Sequence, residues 1–283
     1  MNICKTIDEM RAASRAAHRE GKLLGFVPTM GALHEGHLSL VRAAKAKCDV
    51  VAVSIFVNPL QFAPTEDLAK YPRTFDHDRD LLEKEVIDIL FAPTPEEMYP
   101  AGAITYVTVE GLSEKLCGRS RPGHFRGVTT VVAKLFHIVE PDLAFFGQKD
   151  AAQATIIRRM VQDLNLPVEI VVCPIVRELD GLAMSSRNAY LSPQERRSAL
   201  VLNRSLTEVR NLFDQGERNA SMLIEAGKQV LSHEAGVRLD YFEIVTPSTL
   251  DSMQQLTSGA LVAIAAFVGH TRLIDNILLP EPE

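Results

Sequence analysis

Cysteine is scarce in this chain of 283 residues: Cys4, Cys48, Cys117 and Cys173 are the only four. None of them forms a CxxC pair, and nothing in their spacing resembles a disulfide framework. A reducing, cytoplasmic setting is the expectation that follows. Long apolar runs are also missing. The longest, ALVAIAAFV (260–268), covers about half of the roughly 20 residues a membrane-spanning helix needs. It reads as a buried strand, and no membrane partner is expected. The opening stretch MNICKTIDEMRAASRAAHREGK has charges throughout and no apolar h-region, so no secretory signal is expected there. An excess of basic charge is lacking too. The net charge is −6 and the pI is near 5.8. That argues against a general nucleic-acid surface and against a nucleic-acid partner, while leaving room for a local basic pocket. Neither GxxxxGK[ST] nor a clear GxGxxG occurs. A nucleotide, if one is bound, must be held another way.

Apolar residues make up 46% of the chain, enough for a packed core, and the length is near the point where single cores stop growing. Residues 6–20 place Ile7, Met10, Ala13 and Ala17 at helical spacing and stop at Gly21. LLGFVPT (23–29) reads as a strand, HLSLVRAAKAKC (37–48) as a helix, and DVVAVSIFVN (49–58) as a parallel strand buried on both faces. Together they form a βαβ unit. The alternation continues with helices at 74–86, 128–140 and 150–164 and strands at 87–94, 143–147 and 168–176. This pattern predicts an α/β fold, a Rossmann-like doubly wound parallel sheet over residues 1–175. Residues 177–196 are polar and turn-rich. Helices at about 193–213 and 217–234, strands at 240–247 and 260–269, and a last segment at 271–279 predict a smaller α+β C-terminal domain over 176–283.

The segment VPTMGALHEGHLSLV (27–41) places His34 and His37 on a turn between a strand and a helix. Three readings are open. Zinc is poorly served, because the metalloprotease motif sets its histidines at i and i+4 on one helix and no cysteine is near. In a packing reading, His37 caps a helix and His34 is a solvated turn residue. The third reading is phosphate handling. Gly31 and Gly36 let backbone approach a ligand, the helix start offers N–H groups, and imidazole donors add to a dipole contribution of only about 0.3–1 kcal/mol. Cationic help would come from FGQKDAAQ (146–153), with Lys149 and Asp150, and from GLAMSSRN (181–188), with Ser185, Ser186 and Arg187. Asp150 alone reads more simply as a helix cap. GRSRPGHFRGV (118–128) gathers Arg119, Arg121, His124 and Arg126 as either a solvated or an anion-binding loop. FVNPLQF (56–62) offers Asn58 and Gln61 to a small polar substrate, or uses them for turn chemistry.

Taken in order, PTMGALHEGHLSLV, NPLQF, YPR, RPGHFRGV, FGQKDAAQ and DGLAMSSRNAYLSP resemble the pantothenate synthetase (pantoate–β-alanine ligase) family over nearly the whole length. HEGH resembles the HIGH element, and MSSRN the KMSKS element, of the HxGH nucleotidyl transferases. The resemblance implies ATP-dependent condensation of pantoate with β-alanine, through a pantoyl-adenylate, with Mg2+, in a homodimer. It implies ATP binding by Met30, Gly31, Ala32, Leu33, His34, Glu35, Gly36 and His37, by Gly147, Gln148, Lys149 and Asp150, by the backbone of Val176, and by Met184, Ser185, Ser186 and Arg187. His34, His37, Lys149, Ser185, Ser186 and Arg187 are the implied catalytic set. Pantoate falls to Gln61 and Gln153 with Asn58 and Tyr71, and β-alanine to Gln61. The family is usually assigned a proton donor at the position of His37; charge stabilisation suits a weakly basic pyrophosphate better. The resemblance also makes the C-terminal domain a lid and the loops near 60–80 and 177–190 gates. Two departures stand out. Ala152 replaces the first of two adjacent glutamines, and Cys117, given no catalytic role, stands where a glutamate is frequent. A nucleotidylyltransferase acting on another small molecule is the alternative.

Overall fold

The structure is a computed structural model that describes residues 1–64 and 66–281. Strand β1 (Asn2–Cys4) leads into helix α1 (Ile7–Arg19), whose start is closed by a capping box between Thr6 and Glu9. The chain continues through β2 (Leu24–Thr29), α2 (Glu35–Lys45), β3 (Val50–Ile55), α3 (Phe75–Lys84) and β4 (Ile89–Phe91). Two short helices, α4 (Pro95–Met98) and α5 (Cys117–Ser120), precede α6 (His124–Val139), β5 (Leu143–Gly147), α7 (Ala151–Asp163) and β6 (Glu169–Cys173). The six strands form one parallel sheet in the order β1-β4-β3-β2-β5-β6.

Successive residues of these strands point to opposite faces, and both faces are apolar. Phe26, Ala52, Phe91 and Phe146 join one core with Met10 of α1, Val132 of α6 and Ile157 of α7. Val27, Val53, Leu90 and Phe145 join the other with Val41 of α2 and Leu82 of α3. This is the doubly wound arrangement read from the sequence.

The remaining chain forms α8 (Pro193–Ala199), α9 (Val201–Asp214), α10 (Ala220–Ser232) and an antiparallel sheet of β7 (Val237–Val245), β8 (Ala260–Val268) and β9 (Thr271–Leu279). It has a core of its own around Leu206, Leu223 and Ile264. No helix among the described residues is long and apolar enough to cross a membrane.

Several boundaries differ from the sequence reading. Helix α6 begins four residues before 128, because Gly123 takes a left-handed turn (φ +83) that sends the chain directly into the helix. The single helix expected at 193–213 is two, meeting at Leu200. Strand β3 stops at Ile55, so Phe56–Asn58 already belongs to the loop. Strand β1 was not expected: three residues on a sheet edge carry no periodic signal.

Candidate functional site

Strand β2 pairs with β3 on one side and with β5 on the other. The strand order reverses there, and that is where a doubly wound sheet opens a crevice at its carboxyl edge. The candidate residues follow the carboxyl ends of β2, β3, β5 and the edge strand β6. His34 and His37 come after β2, Asn58 and Gln61 after β3, Lys149 and Gln153 after β5, and Val176 after β6. A cavity of about 230 Å3 collects Met30, His34, Gly36, His37, Asn58, Gln61, Tyr71, Gly147, Lys149, Asp150, Gln153, Val176, Ser185, Ser186 and Arg187. A second cavity of about 900 Å3, between the two sheets' domains, shares Lys149, Asp150, Gln153, Ser185 and Arg187 with it. The expected site residues that line neither are Gly31, Ala32, Leu33, Glu35, Gln148 and Met184.

The turn after β2 is held amide by amide. Gly31 N–H donates to Thr29 Oγ1 at 3.1 Å, and Ala32 and Leu33 N–H donate to the two carboxylate oxygens of Asp78, each at 2.8 Å. His34 N–H donates to His37 Nδ1 (3.3 Å), and Gly36 N–H to His34 Nδ1 (3.1 Å), a capping box built from two imidazoles. The rings lie 4.1 Å apart, centre to centre. The expectation that this helix start offers free N–H groups to phosphate is therefore corrected. Between Gly31 and His37, only Glu35 N–H has no acceptor among the described residues. Glu35 itself is exposed and pairs with Arg42. The donors left for a ligand are on the imidazoles. Since each Nδ1 accepts, the ring proton belongs on each Nε2. Gly36 is small because a Cβ there would come within 2.9 Å of the His34 ring.

Both imidazoles are neutral at neutral pH. Burial, and then the Lys149 charge, push His34 down to about 4. Burial, His34 and Lys149 push His37 down to about 3. The packing reading gave the cap to His37 and solvent to His34; the structure instead makes the largely buried His34 the N-cap, with His37 closing the box from N3. Capping coexists with the phosphate reading, because the two functions use different nitrogens.

Lys149 is partly buried and lies 3.9 Å from Asp150, its nearest carboxylate. Asp150 occupies the N-cap position of α7, yet its side chain makes no capping bond, contrary to the cap reading. The side chain of Gln153 has no hydrogen-bond partner among the described residues, so both ends of its amide are open to a ligand in the crevice it lines. Gln61 is more engaged: its Oε1 accepts from Asn58 Nδ2 (3.1 Å), and its Nε2 lies 2.9 Å from Met30 Sδ. Asn58 is buried and fixed by Gly127 C=O and Tyr99 OH. The carbonyl of Val176 accepts from Met184 N–H.

The MSSRN segment is tied to the loop after β3. Arg187 pairs with both oxygens of Asp67 at 3.1 Å, Tyr71 OH lies 3.4 Å from Ser186 Oγ, and Tyr190 OH donates to Lys70 C=O. Of the basic segment 118–128, Arg119, Arg121 and His124 are already engaged, while the exposed Arg126 lies over the Tyr106 ring. Arg119 pairs with Glu243. Arg121 binds Glu66 and Gln61 C=O, and His124, pushed down to about 4 by burial and by Arg121, bonds the same carbonyl at 2.8 Å. Arg121 and His124 brace the Gln61 loop.

Three residues that hold the site together were missed in the sequence. Asp78 is one. Asp275 and Asn276, buried on β9, are the others. Asn276 Nδ2 donates to the carbonyls of Gln148 and Lys149, and Asp275 takes a two-point ion pair from Arg177. Two adjacent polar residues inside the run TRLIDNILL were the signal available for these. For Asp78 it was an acid one turn before Leu82 on an inward helix face.

An α/β sheet with two neutral imidazoles, a lysine and an arginine around one crevice defines an enzyme that handles a polyanionic small molecule. The family model described as Pantoate-beta-alanine ligase matches residues 2–278. A pantothenate synthetase of Koribacter versatilis is 60% identical over 99% of this chain and 96% of its own. A crystal structure of pantothenate synthetase from Thermus thermophilus superposes with a TM-score of 0.92 at 48% identity, covering 98% of this chain and 99% of that one. A pantoate-beta-alanine ligase from Francisella tularensis, complexed with beta-gamma ATP and beta-alanine, gives 0.78 at 33% identity over 98% and 97%. The chain belongs to the pantoate–β-alanine ligase family.

Proposed function

We propose that this chain performs its family's reaction with the residues just described. ATP, pantoate and β-alanine give pantothenate, AMP and pyrophosphate. A carboxylate resists attack by an amine, so it is first activated. A pantoate carboxylate oxygen bonds to the α-phosphorus of ATP, and the bond from that phosphorus to the bridging oxygen of pyrophosphate breaks. The β-alanine amine then attacks the carbonyl carbon, and AMP leaves.

The observation that carries this reading is the orientation of the two imidazoles, with Nδ1 bonded to backbone and the ring lining the crevice. His34 and His37 donate from Nε2–H to triphosphate oxygens as charge builds on the leaving pyrophosphate. A neutral imidazole near a weakly basic leaving group acts by hydrogen bonding, so His37 stabilises charge without transferring a proton. Lys149 adds a cation. Gln153, with its free amide, and Gln61, already aligned by Asn58, hold pantoate near Tyr71. Gln61 also places β-alanine. The N–H of Val176 is left for adenine by its bonded carbonyl. Gly147–Asp150 and Met184–Arg187 flank the nucleotide, while Gly31, Ala32, Leu33 and Glu35 shape the turn instead of touching ATP.

Among the described residues no group of three or more His, Cys, Asp or Glu side chains could hold a metal. The protein groups do not form a magnesium cage, so Mg2+ comes bound to the ATP phosphates and water. Residues 176–283 form the lid that excludes water from the reactive anhydride. The setting is the cytoplasm, and the assembly is a homodimer.

The test is pantoate-dependent exchange of labelled pyrophosphate into ATP without β-alanine. Exchange is expected in the wild-type protein. It should fall at least about 100-fold in His37→Ala, which removes a transition-state donor, while ATP still binds. Exchange without pantoate, or unchanged exchange in His37→Ala, refutes the assignment.

A further inference from the structure

Asp78 is a fully buried carboxylate that the mechanism above does not use. It stands on the inward face of α3, and no Arg, Lys or His forms an ion pair with it among the described residues. Its partners are two backbone amides and one hydroxyl: Ala32 N–H on Oδ2, Leu33 N–H on Oδ1, and Thr74 Oγ1 at 3.2 Å from both oxygens. A carboxylate is a costly group to bury for packing alone, and both of its amide donors come from one turn.

That turn needs an external hold. Gly31 and Ala32 both have positive φ, +78 and +51. For alanine the left-handed conformation costs roughly 1–2 kcal/mol. The other acceptors of the turn's amides, Thr29, His34 and His37, lie within the same strand–turn–helix segment. Among the described residues only Asp78 reaches in from another element. The space is also matched, since a Cβ on Gly31 would come within 3.0 Å of Asp78 Oδ2. Directly after the pinned Leu33 comes His34, whose ring and backbone form the imidazole capping box.

From this geometry we infer that Asp78 is a positioning residue: by clamping the left-handed turn it sets the ring orientation and tautomer of His34 and His37. The carboxylate fills the concavity of the turn, so phosphate meets the imidazole edges and not the backbone. The inference rests on the reading of these two histidines as triphosphate donors.

In Asp78→Asn, one amide of the turn faces an NH2 group in place of an oxygen. Two readouts decide. The first is 15N chemical shifts of the imidazoles, assigned with single His→Asn variants and read without substrate. The resonances of His34 and His37 should move away from the Nε2–H pattern, and those of the other histidines should stay. The second is pyrophosphate exchange, whose kcat should fall about 10–100-fold with the pantoate KM within about twofold of wild type. Thr74→Val, which removes the hydroxyl bonded to both carboxylate oxygens and keeps the shape of the side chain, should give the same changes at smaller size. It decides the matter if Asp78→Asn does not fold. Unmoved His34 and His37 resonances in a folded variant overturn the inference, whatever the rate does. An unchanged kcat overturns it too. A wild-type protein without exchange would instead refute the triphosphate reading itself, and the imidazole shifts would still report on the clamp.

Discussion

His34 and His37 keep their capping role only while unprotonated, because a protonated Nδ1 cannot accept from an amide. Their lowered values, about 4 and about 3, and the value of about 4 at His124, have one leading cause, burial. In the unfolded chain each imidazole titrates near 6.5. Between those limits the unfolded state binds more protons, so the stability these groups contribute is complete above about pH 6.5 and is lost as the pH falls toward 4 and 3. Thermal melting should therefore decline from pH 6.5 to pH 5, where carboxylates are still ionised, with a slope bounded by about 1.4 kcal/mol per pH unit for each imidazole. The double variant His34→Asn/His37→Asn should show a shallower decline over that interval. An equal slope would mean that other groups govern it. The two histidines were legible in the sequence by their spacing around glycine. The nitrogen each uses was not, because that depends on a 3.3 Å contact within the folded turn.

Helices and strands were legible where burial is two-sided. β2, β3 and β5 read as near-continuous apolar runs because helices cover both faces of a parallel sheet. What escaped were contacts between elements far apart in sequence. Arg187 read as a phosphate ligand, yet its guanidinium is held by Asp67, 120 positions away. This pair, with Tyr71–Ser186 and Tyr190–Lys70, ties the loop after β3 to the segment after β6. If Arg187 meets phosphate as proposed, ATP and Asp67 compete for it, and closure exchanges one anion for another. Trypsin cleavage at Lys70, Arg73 and Arg187 should slow several-fold with saturating ATP and pantoate. Unchanged cleavage at all three positions would remove the gate assignment.

At the scale of the molecule, β9 supports both cationic segments at once. Asn276 holds the carbonyls of Gln148 and Lys149. Asp275, buried at 3% exposure, grips Arg177, which in turn bonds Gly181 C=O in the hairpin leading to Ser185–Arg187. Arg177→Met would leave that carboxylate buried without its cation, at a cost of about 3–5 kcal/mol, measurable by urea unfolding. A loss below about 1 kcal/mol, the range of a surface pair, would show that the pair contributes little. The strand itself was legible as an apolar segment, but the partners of its two polar residues were not, since they lie 98, 127 and 128 positions earlier.

The position of β9 along the chain also bears on synthesis. The side chains proposed to meet ATP and pantoate have all been synthesised by residue 187, whereas Asp275 and Asn276 are made much later. Through that interval the Lys149 segment lacks its Asn276 anchor and the hairpin before Ser185 lacks Asp275, so the support from β9 arrives only once that strand has been made.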